Sequence, residues 1–473
     1  MMFDEEYFKS EEFKEILDEY ETALAEGNTF YMDVDDLADV ADYYQMQNRY
    51  DDAVAAIDTA LTIAPGATLP LVFKVRDAIS MGELEAAREY LERIDDKTDV
   101  EYQYTACELL IAEGKADEAE QMFHELYQEV SADEQQDFVL DVANIYSDYG
   151  LHDKAMEWMM RGKGDDTEDF KELMARTLFG LGKYDDSERI FNELLDRNPF
   201  QKRYWNALAS TQFMKEDYSA SITSSEYAIA IDPDDTEGIL AKANGLYRLD
   251  NFEEALVYFQ RFNEHIPDDE FGLLHQGTCL INLNRFDEAI TQLEKAEKLA
   301  PKDSPYLADI YQELAFAYSE LHQPETALFY LDKTDALDCD HVDMLVIKGH
   351  VLLANERMKE AEQMFKKAII QSGSSPKILL RIIVSMYDNK YVNASYSMFK
   401  RFFELVGNEF DEGYSYMALC CWDTKRDDEF LHYLQEAVRR NPKEARMVLS
   451  GIFPQDTKPE EYYPFMVDLL KKE

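Results

Sequence analysis

Basic residues are scarce in this chain. Lys and Arg number 47 against 98 Asp and Glu, giving a net charge of −51 at pH 7. An acid excess of that size repels polyanions, and no Lys/Arg run supplies the local patch that DNA, RNA or anionic lipid requires. Nucleic acid and membrane surfaces are therefore excluded as expected partners. Cysteine is also sparse. Cys107, Cys279, Cys339, Cys420 and Cys421 are odd in number, scattered and without Cys-x-x-Cys spacing, which argues against a disulfide framework and against structural zinc. Long apolar runs are missing: Ile378 to Met386 is among the longest, and Arg381 interrupts it. Nothing of that length spans a bilayer as a helix. The opening Met-Met-Phe-Asp-Glu-Glu-Tyr has neither the basic nor the apolar part of a signal peptide, so a reducing, cytoplasmic location is expected.

Signatures of chemistry are equally few. No Gly-rich phosphate loop, His-Glu-x-x-His or Gly-x-Ser-x-Gly element occurs. Asp338-Cys339-Asp340-His341 gathers four metal-ligating residue types, but partners at matching spacing are lacking, and a polar turn between repeats is expected. Cys420 and Cys421 are adjacent and cannot share one face of a helix; Cys421 falls in an aromatic core column and is expected to be buried. His275 and His350 read as helix-surface histidines on inner faces. The many acid pairs recur periodically at helix starts, which suits dipole complementarity rather than acid–base catalysis. No enzymatic activity, cofactor or metal is expected.

What the sequence does contain is a repeat. Tyr218, Phe252 and Phe286 lie three residues before Ser221, Ala255 and Ala289. Then come Ser225, Phe259 and Leu293, then Ala228, Phe262 and Ala296, and each unit closes at Pro233, Pro267 or Pro301. Every column advances by 34 residues, so the chain is built from stacked equivalent units. The frame extends in both directions. Upstream it passes through Tyr184-Ser187-Phe191, His152-Ala155-Met159, Ala116-Ala119-Phe123 and Leu84-Ala87-Leu91 to Tyr50-Ala53-Ile57. Downstream it passes through Pro324-Ala327-Leu331, Met358-Ala361-Phe365 and Tyr391-Ala394-Met398 to a degenerate Asp427-Phe430-Leu434.

Within a unit the apolar residues keep helical spacing, as in Leu240, Ala243 and Leu246. A polar break such as Leu249-Asp250-Asn251 follows, then a second helix with acids in its first turn, for example Glu253-Glu254. The small residue of each phrase lets two helices approach, the large one fills the groove beside it, and the proline ends the second helix. A helix pair alone exposes its apolar face, so stacking must cover it. The expected fold is all-α: a right-handed superhelical solenoid of stacked antiparallel helix pairs. Residues 1–33 are expected to supply an N-terminal capping helix over 3–26 that stops at Gly27-Asn28. About twelve pairs are expected over 34–446. A capping segment over 447–473 is expected to use Phe465, Val467, Leu469 and Leu470 after Pro464. Spacing widens to 38 between Ala289 and Ala327, and 161–166 is irregular; both are expected to be longer loops rather than hinges.

These columns resemble the tetratricopeptide repeat, through Trp205, Leu208 and Ala209 in a first helix, Ala255-x3-Phe259 and Ala289 in second helices, and the closing prolines. Departures are Ser187 and Ser221 in place of the small alanine, and Phe430, which is large. The resemblance implies a non-catalytic scaffold that binds a peptide or partner protein on the concave face of the first helices. In this register that face carries Asp35, Asp39, Asp42, Glu101, Glu108, Asp137, Asp141 and Asp148 early in the chain. In the middle it carries Arg176, Arg203, Asn206, Asn244, Tyr247 and Arg248, with Glu172, Phe179, Ser210 and Phe213 among them. The middle set is the expected partner-binding site, suited to an acidic peptide or a terminal carboxylate. The competing reading is that its arginines only neutralise neighbouring acids. The Lys/Asn/Arg clamp of some chaperone-binding members has no residue-by-residue match here. A different expectation is a chaperone-like or decoy role for basic clients at the acidic early face. A third class, a regulatory ligand-binding protein or the repeat half of an enzyme assembly, has no leftover catalytic domain to support it.

Overall fold

The computed structural model describes residues 7–26, 32–47, 49–162, 164–407, 410–454 and 457–470. The chain divides into two compact units, Met1–Ile231 and Asp232–Glu473. In the first unit α1 is Glu11–Glu26, α2 Val34–Met46, α3 Tyr50–Ile63, α4 Thr68–Ser80, α5 Leu84–Glu92, α6 Val100–Ala112 and α7 Ala116–Glu129. There follow α8 Gln135–Asp148, α9 His152–Met159, α10 Glu168–Gly180, α11 Tyr184–Arg197, α12 Lys202–Met214 and α13 Tyr218–Ile231. The second unit holds α14 Thr236–Arg248, α15 Phe252–His265, α16 Glu270–Asn282, α17 Phe286–Leu299, α18 Leu307–Glu320, α19 Pro324–Lys333 and α20 His341–Ala354. It continues with α21 Met358–Gln371, α22 Pro376–Asp388, α23 Val392–Val406, α24 Tyr414–Asp423, α25 Asp427–Arg440, α26 Pro442–Leu449 and α27 Pro459–Leu470.

From α2 to α25 each even-numbered helix packs on the odd one that follows, making six pairs per unit among the described residues, and within each unit the pairs stack in chain order. This is an all-α solenoid of antiparallel helix pairs. The turn inside each pair has a local cause. First helices end on a residue with positive φ, such as Gly82 (74°), Gly182 (71°), Asp250 (59°) or Glu356 (61°). At Asp250 the exit is a Schellman motif, with Asn251 N donating to Leu246 O at 3.0 Å and Asp250 N to Tyr247 O at 3.1 Å. The chain reverses there, and in every pair but the eleventh the second helix starts on the first residue of its sequence phrase.

The small column works as its spacing demands. Ala53, Ala87, Ala119, Ala155, Ala255 and Ala289 are completely buried, as are Phe123, Phe259 and Leu293 four residues on. Facing first helices are small at the same level, and a Cβ on Gly349 would overlap the Phe365 ring. Ser187 fits the alanine site because its hydroxyl donates to Ala175 O at 2.8 Å.

Several sequence expectations need correction. In the eleventh pair the phrase is Ser395-Phe399-Phe402, all buried, not Ala394-Met398; Ala394 is exposed. Ser395 takes the small site because its hydroxyl is satisfied by Tyr391 O at 3.1 Å. Cys421 is buried as expected, and Cys420 beside it is fully buried too, since α24 packs against α23, α25 and α26. The first helix begins at Glu11, after a short 3-10 turn at Tyr7–Lys9, with Ser10 Oγ accepting from Phe13 N at 3.1 Å. Its Phe13 and Tyr20 pack against Tyr43 and Tyr44 of α2. The expected start at residue 3 and stop at Gly27-Asn28 lie outside the described residues. In α27 the buried face is Tyr462 and Met466, while Phe465 and Leu469 are exposed and Pro464 sits inside the helix. The two irregular stretches are loops tied down at points: Asp166 pairs with Lys171 and Arg197, each at 2.6 Å, and Ser304 donates to Glu270 at 3.1 Å. Lys163 lies outside the described residues. No helix of the described residues is long and apolar enough to cross a membrane.

Candidate functional site: two cavities on the first-helix face

In the first unit, successive first helices are joined by ion pairs. Arg76 of α4 donates twice to Glu108 of α6, at 2.7 and 3.1 Å, and lies 3.6 Å from Glu101. Arg176 of α10 reaches Asp148 of α8 at 2.9 Å, and Arg203 of α12 reaches Glu172 of α10 at 2.9 Å. Tyr104 of α6 donates to Asp141 of α8 at 3.3 Å. Arg76 is the residue that the sequence reading missed. The early face is not uniformly acidic; it has a guanidinium at its centre.

Around Arg76 the first helices enclose a cavity of about 740 Å³ lined by Asp39, Asp42, Asp77, Glu101, Glu108 and Asp148 over an apolar floor that includes Val72 and Phe73. Burial raises the Asp42 carboxyl to about 6, against the opposing pull of Arg76. Glu101 is raised for the same reasons. Burial disfavours the charge on Arg76 itself, but Glu108, Glu101 and Asp42 outweigh it and the guanidinium stays ionised. The Oδ1 atoms of Asp77 and Asn144 are buried in this cavity wall and have no hydrogen-bond partner among the described residues.

In the second unit a cavity of about 570 Å³ lies against α16, α18, α20, α22 and α24. Its walls include Ile281, Phe316, Val346, Leu380, Val384 and Tyr416, and its polar groups include Glu313, His350, Arg381 and Asp388. Arg381 is engaged by Asp343. His350 Nδ1 lies 3.1 Å from Ser385 Oγ and 3.2 Å from Asn389 Nδ2, and burial lowers its pKa. Burial raises the Asp388 carboxyl, against the pull of Lys390. Glu313 is pushed up to about 7, by burial first and by the like charge of Asp309 second.

The six residues expected to form one site fall in both units. Arg176 and Arg203 are exposed and already ion-paired, and Asn206 is buried in α12. In the second unit Asn244 is half-buried, Arg248 is exposed, and the Tyr247 ring packs against Phe252 and His275 at 5.5 and 6.0 Å. None of the six lines either cavity. A signal for the second cavity was present in the sequence. The column Arg176, Ser210, Asn244, Thr278 advances by 34, crosses the 38-residue spacing to Phe316, and resumes by 34 through His350 to Val384.

The remaining chemistry-bearing residues have structural places. Asp340 caps α20, accepting from Val342 N at 3.0 Å and Asp343 N at 3.1 Å. Cys339 Sγ donates to Thr334 O at 3.5 Å. His275 Nδ1 lies 2.9 Å from Phe271 O, with its ring against Phe259 and Phe271.

Comparison with known proteins places these helix pairs. One family model, described as Tetratricopeptide repeat, matches residues 173–236, and a second of the same description matches 273–303 and 342–369. The chain carries tetratricopeptide repeats. Among solved structures, the tetratricopeptide-repeat chain is similar to the APC/C hetero-tetramer Cut9–Hcn1 at 16% identity and TM-score 0.35, covering 94% of this chain and 93% of that one. It is similar to PilW, a widely conserved type IV pilus biogenesis factor, at 18% and 0.40, covering 46% and 98%. It is also similar to MamA from Desulfovibrio magneticus RS-1 at 16% and 0.35, covering 37% and 96%. At these TM-scores none of the three carries an argument about this chain. No curated protein sequence matches it. Tetratricopeptide repeats serve protein–protein interaction, and the repeats of this chain support protein binding.

Proposed function

We propose that this tetratricopeptide-repeat protein is a non-catalytic adaptor in a reducing, cytoplasmic compartment, holding a peptide or partner protein against its first-helix faces. The observation that carries this reading is that each unit opens a cavity of several hundred Å³ on that face, about 740 and about 570 Å³. Arg176, Arg203 and Asn206 on the first unit, and Asn244, Tyr247 and Arg248 on the second, are the proposed contacts for acidic segments. The half-exposed pair of Arg176 with Asp148 exchanges partners at little cost, whereas Arg203 holds the buried Glu172. Affinity capture from native lysate with the wild type and with Arg203→Glu/Arg248→Glu tests it. Loss of captured partners in the variant is expected; an unchanged set removes these residues from the site.

A second reading is favoured by one feature. The first unit's cavity sets six carboxylates against one guanidinium and leaves two buried acceptors without donors, which suits basic clients. Binding there is expected to weaken steeply with ionic strength, and salt-insensitive capture of basic proteins would sink it.

A further inference from the structure

The charged groups of the second unit's cavity differ in how they are met. Arg381 has Asp343, His350 has Ser385 and Asn389, and Asp388 feels Lys390. Glu313 makes no hydrogen bond or ion pair among the described residues, and the neighbouring charge that acts on it, Asp309, has the same sign. Yet it stands one helical turn from Phe316, which is 39% exposed in the same cavity, amid Ile281, Val346 and Val384. A carboxylate held among apolar walls without a counter-ion is costly to the free protein. A cation brought in by a partner would remove that cost while its apolar neighbours cover the walls.

We propose that this cavity is the docking site for an apolar segment of a partner protein that carries one lysine or arginine, the cation pairing with Glu313. The proposal rests on the adaptor reading and deepens it. Charge complementarity selects the cation: the cavity carboxylates Glu313 and Asp388 have no ion pair among the described residues, only Asp388 has a cation, Lys390, acting on it, and the one cationic side chain of the lining, Arg381, is taken by Asp343. The apolar walls select what flanks it. Phe316 supplies the exposed anchor, since aromatic side chains at the centre of an interface dominate binding.

The test begins with selection of a displayed library of random 12-residue peptides on the full chain. Selected peptides are then measured by fluorescence anisotropy. Enrichment of one Lys or Arg among apolar residues is expected. Glu313→Gln is expected to weaken these peptides on the order of tenfold or more. Replacing the peptide lysine by norleucine is expected to cost the same factor on the wild type and little on Glu313→Gln, a cycle that needs no destabilising variant. Phe316→Ser is expected to weaken both. Peptides that ignore Glu313→Gln and the norleucine change overturn the proposal while leaving the adaptor reading in place. So does an empty selection alongside retained lysate partners. An empty selection with no lysate partner overturns both. Concentration-dependent dimerisation abolished by Glu313→Gln would assign the cavity to a second copy of the chain and overturn the partner assignment.

Discussion

The cavities of the two units are built on the same helix face but meet their charges differently. In the first unit, carboxylates from α2 and α6 converge on Arg76, which α4 supplies from within. In the second unit, Glu313 of α18 lines a cavity with apolar and polar walls and has no ion pair among the described residues. The difference teaches where to look for a binding function in a highly charged repeat protein. A buried acid with a partner inside the fold stabilises the stack of helices. A partly buried acid without one leaves the unliganded protein less stable, and that cost is recovered only when something binds.

Removing the internal cation tests the first half of this contrast and should give the largest effect. Arg76→Met leaves Glu108, Glu101 and Asp42 in mutual repulsion. Breaking a buried pair costs about 3–5 kcal/mol. About a third of the Arg76 side chain reaches solvent, so a loss of about 2–4 kcal/mol is expected in denaturant unfolding at neutral pH, shrinking in acid.

The second half predicts the opposite sign. The Glu313 carboxyl is raised from its ordinary value near 4.5 to about 7 in the folded chain, so between those values the folded state holds a proton that the unfolded state releases. Its contribution to stability therefore falls as pH rises through that window and is flat above it. Glu313→Gln should stabilise the chain by about 1–3 kcal/mol at pH 8 and by almost nothing at pH 4. A stability difference that is constant with pH, or a destabilised variant, would break the comparison.

Asp42 is an intermediate case, because Arg76 opposes its burial. Asp42→Asn should stabilise by about 1–2 kcal/mol at neutral pH, with the gain appearing between pH 4 and 6 and not between 6 and 8. Thermal unfolding of variant and wild type across that range checks the window. The smallest effect is expected at Arg176, whose pair with Asp148 is 42% and 52% exposed. Arg176→Ala should change stability by less than about 1 kcal/mol. A larger loss would place this pair with Arg76 rather than with the solvent-screened ones.

Much of this fold can be read along the chain. The 34-residue columns mark where each second helix begins, because the aromatic, small and large positions are consequences of one packing contact repeated in every pair. Reading failed where two residues compete for one role. Ala394 and Ser395 are both small, and only the Tyr391 carbonyl that accepts the Ser395 hydroxyl decides between them. It failed again in α27, where Phe465 and Tyr462 are both aromatic and the neighbours that select Tyr462 come from elsewhere in the unit. For the candidate site, the column leading through Phe316 to Val384 was within reach of sequence reasoning. The pairing state of each charge was not, since Arg76 and Glu108 stand 32 residues apart and meet only when two first helices lie side by side.

By itself the sequence determined that the chain stacks helix pairs, how long each repeat is and which face most helices bury, since periodicity and residue size act locally and repeat. Only the tertiary structure decided which acids are answered. Ion pairing depends on distances of a few ångströms between helices, and those distances follow from how the pairs stack. Arg76 lies within reach of three carboxylates, and Glu313 has a cavity in front of it instead.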